Sequence, residues 1–366
     1  MLVYGGIFFL TILLLVMSLK VKNTFVSKLL GILSILIPCL FAGLRSYTTG
    51  TDVLVYIKPN YELLKNFNRF TLIFEKFDSE YLYWAITYFF AHFVNNFKIY
   101  LFVLEFLVIY PIYFVLKKNS RDGMSVVLGM IIFLTYFYNL SFNMARQSIA
   151  ISFSLLAYYY LGKEKNKMVI LFLIISILFH SSALILIPIF CLFYINKSNL
   201  KKSTKICLNF LIFLFLLLMA VKFENIISIL SLNSEFSYKN YISKYGLING
   251  KIGIIRLSFW IFILLICLVY KKNIAFYEKN YIFYLFIGFA SILSFYINSK
   301  ILYSERIFYY LTYPFLFIIL SRLPANMKCD YNKKSIFIII SVVFILYWFY
   351  AIPINNWNNT FPYAFS

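Results

Sequence analysis

Apolar runs of about 18 residues, each long enough to cross a bilayer as a helix, recur from one end of this chain to the other, with short lysine clusters between them. A chain that is 63% hydrophobic and built this way is an all-α polytopic membrane protein, because in hydrocarbon only helices satisfy the backbone within one segment. Ten spanning candidates follow: residues 2–19, 26–43, 99–116, 124–139, 145–161, 205–222, 253–270, 280–298, 307–320 and 335–352. Two segments do not fit the pattern. Residues 81–95 are short and carry Trp84, Tyr88 and His92, while residues 168–194 are too long for one span and too short for two full ones.

The charges decide both cases. With Lys20, Lys22 and Lys28 on the cytoplasmic side, where lysines between spans are favoured, residues 44–80 lie outside, and a crossing at 81–95 would export Lys117, Lys118 and Arg121. That segment is therefore expected to lie on the outer face or to enter and return. Likewise Lys163, Lys165 and Lys167 belong on the same side as Lys197, Lys201, Lys202 and Lys205. Residues 168–194 must then cross an even number of times, as a helical hairpin whose tip is His180, Ser181 and Ser182. Each arm, at about 12 residues, rises roughly 18 Å, so the tip is expected to be buried in protein or to line a cavity. On this assignment the cytoplasmic acids are Asp122, Glu164, Glu278 and Asp330, Glu105 sits within a span, and both termini are outside.

The net charge of +21 would point to nucleic acid in a soluble domain; distributed between spans it reads as topology, and no nucleic-acid partner is expected. Cys39, Cys191, Cys207, Cys267 and Cys329 are scattered singly, with neither a disulfide framework nor a paired metal motif. The first apolar run lacks a basic leader and a small-residue cleavage site, and is expected to be a retained helix. With no soluble domain, low-complexity tract or internal repeat, residues 1–366 form one integral membrane domain. Its outer loops 44–80 and 223–251 are the substrate-facing candidates, together with the uncharged tail after Ile352 that carries Trp357 and Tyr363.

Four constellations could carry chemistry. Arg45, Asp52 and Tyr56 follow the second helix; Asp52 reads equally as the N-cap of a short helix or as a substrate contact, and Arg45 as a substrate contact or a cation reaching for headgroups. Arg146, followed by Gln147, opens a helix at its positive end, where a cation is disfavoured, so a partner is implied. A diphosphate suits a guanidinium at a helix N-terminus; an ion pair with Glu80, Glu105 or Glu305 is the alternative. His180, with Ser181 and Ser182, is either a packing residue or a general base or phosphate contact. Arg306, after Glu305, could be a second diphosphate clamp or neutralise Glu105, and Arg256 is a weaker candidate of the same type. Four arginines at outer helix ends suit a polyanionic substrate. With His92 the only other histidine and no metal-ligand spacing, no metal or other cofactor is expected.

At these residues the sequence resembles the EpsG family of bacterial exopolysaccharide proteins, relatives of Wzy-type O-antigen and capsule polymerases. The resemblance rests on Arg45 with Gly50, Thr51, Asp52 and Tyr56, on Arg146 to Ala150, on Phe179 to Leu184 around His180, and on Arg306 opening a late helix. It implies a GT-C-like, metal-independent glycosyltransferase that polymerises undecaprenyl diphosphate-linked repeat units on the outer face of the cytoplasmic membrane. Its partners would be the lipid-linked glycan donor and acceptor, membrane lipid, and a chain-length regulator or flippase. Arg146 and Arg306, with Arg45, would neutralise the departing diphosphate, and His180, Asp52 or Glu80 would take the acceptor proton. Tyr56, Gln147, Ser181, Glu305 and Arg256 would line the substrate. An O-antigen ligase shares the donor and the arginine clamp, and differs only in acceptor. A transporter or flippase should show charges reachable from both sides and repeat symmetry, which this sequence lacks; an acyltransferase and a secretion-complex scaffold are the remaining alternatives.

Overall fold

The computed structural model describes the chain apart from residues 121, 209, 212–252, 299–304 and 328, and apart from the side chains of 276, 277, 293–298 and 305. The span expected at 205–222 falls largely outside the described residues, as does the loop 223–251. The described backbone is helical, and its one extended pairing is an isolated antiparallel bridge between Arg45 and Phe365. Five helical stretches are long and apolar enough to cross a membrane: Leu2–Lys20, Thr24–Leu44, Phe97–Asn119, Gly123–Ser141 and Asp330–Ile354. Shorter apolar helices accompany them at Asn166–Phe179, Ser181–Lys197, Ile254–Val269 and Tyr281–Ile292.

The helices that position the site are α1 (Leu2–Lys20), α2 (Thr24–Leu44), the short α3 (Lys58–Lys65) and α4 (Leu72–Lys76), α5 (Tyr81–Phe89), α6 (Phe97–Asn119), α7 (Gly123–Ile132), α8 (Tyr138–Ser141), α9 (Ala145–Gly162), α10 (Asn166–Phe179) and α11 (Leu186–Lys197). After the undescribed residues come α12 (Ile254–Val269), α13 (Lys271–Tyr277), α14 (Tyr281–Asn298), α15 (Glu305–Pro314) and α16 (Asp330–Phe349). Side-chain caps set three starts: Asn23 accepts from the Phe25 and Val26 N–H groups, Asn96 from Ile99, and Asp122 from Ser125. Each satisfies helix donors that hydrocarbon cannot. α2 and α6 cross closely at Gly43, where an added Cβ would lie 2.8 Å from the Lys98 carbonyl oxygen.

The hairpin expected from lysine spacing is present. α10 and α11 are joined by a 3-10 turn, Ser181–Ile185, and His180 is extended at the break. Their far ends come together: the Tyr194 hydroxyl donates to Asn166 Oδ1 at 2.8 Å, and Lys197 pairs with Glu164. Both lysine clusters therefore lie at one end of the bundle. At that end Arg322 also lies 3.6 Å from Glu278, and Asn273 donates to the Asn326 carbonyl. Residues 81–95 form α5 and a π-helical turn, Phe90–Val94. Glu80, at the start of α5, meets the start of α9, and the far end of the segment passes through Asn95 and Asn96 directly into the start of α6. Start and finish thus share the bundle end opposite the lysine clusters that flank the hairpin, so the segment lies along that face.

The segment 44–80, expected outside, is not an open loop. It folds into a π-helical turn, Val53–Ile57, followed by α3 and α4, with Val53, Ile57, Tyr61, Leu64 and Ile73 buried. The tail after Ile352 holds it in place. The Gly50 N–H donates to the Asn359 carbonyl at 2.8 Å, Ser46 N–H to the Ala364 carbonyl at 2.7 Å, and Tyr4 to the Thr360 carbonyl at 2.7 Å. Asn143 joins three strands of chain, accepting from the Thr51 N–H at 2.7 Å and donating to the Asn358 carbonyl. Gly50 has φ +85°, and a Cβ there would stand 3.1 Å from the Phe142 carbonyl oxygen, so the turn requires glycine.

Because Asn143 is buried, its replacement strands partners that have no water to turn to. Asn143→Ala should cost about 1 to 3 kcal/mol, read as a lower thermal midpoint of the detergent-solubilised protein; an unchanged midpoint would contradict this account of the turn.

Candidate active site

One helix start sets the problem. Arg146 sits in the first turn of α9, whose unpaired N–H groups already carry partial positive charge, so the guanidinium must be compensated locally. Two carboxylates do so. Glu80 Oε2 is 2.5 Å from Arg146 Nη1. Asp52 Oδ2 accepts from the Ala145 backbone N–H at 3.2 Å. Asp52 therefore does cap a helix, but not the short turn that follows it, to which its side chain makes no capping bond. The expectation of a local cap is corrected: the carboxylate caps α9, 93 residues further along the chain.

Around Arg146 stand three rings, with the guanidinium carbon 4.6 Å from the Tyr56 ring centroid, 5.3 Å from Tyr83 and 5.7 Å from Trp84. Cation–π contact of this kind favours a planar guanidinium over an ammonium. The Tyr56 hydroxyl also donates to Asp52 Oδ2, so one tyrosine touches both the acid and the arginine. Both hydrogen bonds to Asp52 fall on Oδ2. Burial raises the Asp52 carboxyl above the usual carboxylate range, opposed by the bond from Tyr56 and by the positive charges of Arg306 and Arg146.

Glu80 faces two cationic or donor groups at once. Its other oxygen, Oε1, lies 3.6 Å from His180 Nε2 at the hairpin tip. Glu80 has φ +63°, a left-handed conformation that a non-glycine residue adopts at a cost. The hairpin tip is tied on the other side through Ser182, whose hydroxyl lies 2.7 Å from His180 Nδ1 and 3.0 Å from the Tyr310 hydroxyl. Gln147 Nε2 donates to Ser182 Oγ and to the Arg306 carbonyl, each at 3.1 Å, fastening the tip and the start of α15 to α9.

The structure thus brings together Asp52, Tyr56, Glu80, Arg146, Gln147, His180 and, within electrostatic reach of Asp52, Arg306. Other expected members lie elsewhere. Arg45 is buried in a separate cluster: it donates to the Ala42 carbonyl at 2.7 Å and stacks on Phe142 at 4.0 Å, while nearby Glu105 accepts from Ser141 at 2.8 Å. Arg256 donates to Tyr309 at 3.2 Å and lies 5.9 Å from the Trp357 ring. Ser181 is exposed, and it is its neighbour Ser182 whose hydroxyl meets His180 and Tyr310. The Glu305 side chain lies outside the described residues. His92 is bound to the Phe67 carbonyl at 2.8 Å and stacked on Tyr88 at 3.9 Å, away from this cluster. Tyr83 and Tyr310 were given no role from the sequence, where each is one aromatic among many; Ser182 was named with His180, and Trp84 only as part of the 81–95 segment. Among the described residues no group of three or more His, Cys, Asp or Glu side chains could hold a metal ion.

A helical bundle with several apolar spans and a polar, arginine-centred cluster at the end opposite the paired lysine clusters of the hairpin is a multi-pass membrane protein. The EpsG family model matches residues 28–365. The chain belongs to the EpsG family, whose members are Wzy-like polysaccharide polymerases. Neither a curated protein nor a solved structure matches the chain.

The pairing at the centre of this pocket is measurable. Glu80→Gln leaves a partly buried guanidinium without its anion and should cost about 3 kcal/mol of stability. A double-mutant cycle of Glu80→Gln with Arg146→Met should give a coupling of about 1 to 3 kcal/mol in detergent unfolding; strictly additive losses would show that the two side chains act apart.

Proposed function

We propose that this protein polymerises lipid diphosphate-linked oligosaccharide repeat units at the outer face of the cytoplasmic membrane, and that the arginine pocket binds the diphosphate. Family membership supplies the polymerase role in general. The observation that carries the finer reading is the placement of Arg146 at a helix start, with Arg306 fastened beside it through Gln147. Guanidinium groups and helix N–H donors are the chemistry that a departing diphosphate needs.

In this reading the acceptor sugar hydroxyl attacks the anomeric carbon of the growing lipid-linked chain. The new glycosidic bond forms as the bond from that carbon to the diphosphate oxygen breaks, and the electron pair leaves on the diphosphate. Arg146 and Arg306 stabilise that charge as it develops, where preorganised cations contribute most. Asp52 takes the acceptor proton. Glu80 Oε2 is already engaged by Arg146, whereas burial favours the protonated form of Asp52. The lysine ends would face the cytoplasm, so both termini and the pocket would face outside. A ligase would use the same pocket with a different acceptor; no observed feature favours it.

Two substitutions test the reading in cells. Arg146→Ala should abolish polymer while single repeat units persist on the lipid. Arg146→Lys should recover little, because an ammonium cannot fill the space between Tyr56, Tyr83 and Trp84 as the planar group does. Asp52→Asn, which keeps an oxygen to cap α9, should lower polymer formation by about 10²- to 10⁴-fold with folding intact. Polymer of normal length and amount from Arg146→Ala would overturn the assignment.

A further inference from the structure

The hydrogen bonds at the hairpin tip have a fixed direction. The Ser182 backbone N–H, which can only donate, points at His180 Nδ1 at 3.2 Å. Nδ1 therefore carries the lone pair, and the neutral imidazole must hold its proton on Nε2. The Ser182 hydroxyl, 2.7 Å from the same nitrogen, must then donate to it. Having spent its one proton there, Ser182 Oγ can only accept from its other neighbours, Gln147 Nε2 at 3.1 Å and the Tyr310 hydroxyl at 3.0 Å. Each bond in the chain from Tyr310 through Ser182 to His180 runs the same way.

We infer that Ser182, supported by Tyr310 and Gln147, is a positioning residue that holds His180 as the Nε2–H tautomer, so that His180 presents a proton donor, not a base, toward Glu80 and the arginine pocket. The inference deepens the site proposed above, and its geometry stands whatever reaction the site performs. Two donors already occupy the Nδ1 lone pair, so the ring has no basic nitrogen to offer an acceptor hydroxyl. Its Nε2 lies 3.6 Å from Glu80 Oε1, beside the carboxylate oxygen that binds Arg146. A departing diphosphate oxygen entering between Arg146 and Glu80 would meet that N–H as well as the guanidinium. Hydroxyl chains of this kind strengthen along their length, because each donor polarises the next.

The chain has two histidines, and His92 lies outside the pocket, so His92→Gln leaves His180 as the single reporter. The ring nitrogens of ¹⁵N-histidine-labelled protein in nanodiscs should show one tautomer near neutral pH, protonated on Nε2. Ser182→Ala should move the Nδ1 resonance toward that of a ring nitrogen accepting no hydroxyl. Tyr310→Phe should move it less in the same direction, and Ser182→Thr should leave it in place and retain polymer formation. A proton on Nδ1 in the His92→Gln parent, or an Nδ1 resonance identical in Ser182→Ala and the parent, would overturn the inference. Should Ser182→Ala not fold, Tyr310→Phe and the parent tautomer still decide it. None of these resonances depends on whether the protein polymerises anything, so failure here and failure of the polymerase reading are separable.

Discussion

A cation at the start of a helix is the constraint on which this structure turns. The Arg146 guanidinium meets the positive end of α9 in surroundings with little water, and such a charge persists there only when anions answer it. Glu80 and Asp52 do so from two sides, and each reaches α9 from a segment that must itself be held: Asp52 by the turn at Gly50, Glu80 by the left-handed start of α5. Neither acid is local to Arg146. The folding of residues 44–95 against the bundle is therefore inseparable from the charge balance of the pocket.

The tail and the hairpin serve the same end by different means. The tail contributes mostly main-chain carbonyls, which Gly50, Asn143 and Tyr4 use as fixed anchor points. A segment without charge can thus fix the position of one that carries Asp52. The hairpin contributes a helix break. Where α10 ends and the 3-10 turn begins, His180 leaves the helical ladder, and its ring becomes available to Glu80 and Ser182. In a continuous helix through residue 180 the Ser182 N–H would go to the Leu178 carbonyl instead of to the His180 ring.

Much of the architecture was legible in the sequence because its signals are local. By the parity of the lysine clusters between spans, residues 168–194 read as a hairpin and residues 81–95 as a segment that lies on the outer face or enters and returns. The pairing inside the pocket was not legible. Glu80, Glu105 and Glu305 stood as equal partners for Arg146, since nothing in spacing distinguishes an acid 66 residues away from one 41 residues away. Capping rules look one turn ahead, so they assigned Asp52 to its own turn instead of to α9. Ser181 and Ser182 differ only in phase at the break, and phase is set by the geometry of the bend. Arg45 looked like Arg146, a cation at a helix end, yet Phe142 and the tail close over it.

The central claim is that the arginine pocket performs polymerisation at a lipid-linked diphosphate. The most direct measurement is reconstitution of the purified chain in liposomes with a single lipid diphosphate-linked repeat unit, followed by sizing of the glycan products. A ladder of multiples of the repeat, with lipid diphosphate released in step and both lost in Arg146→Ala, is the result expected here. Repeat units that remain single with the wild-type chain, or a ladder equally strong with Arg146→Ala, would contradict it.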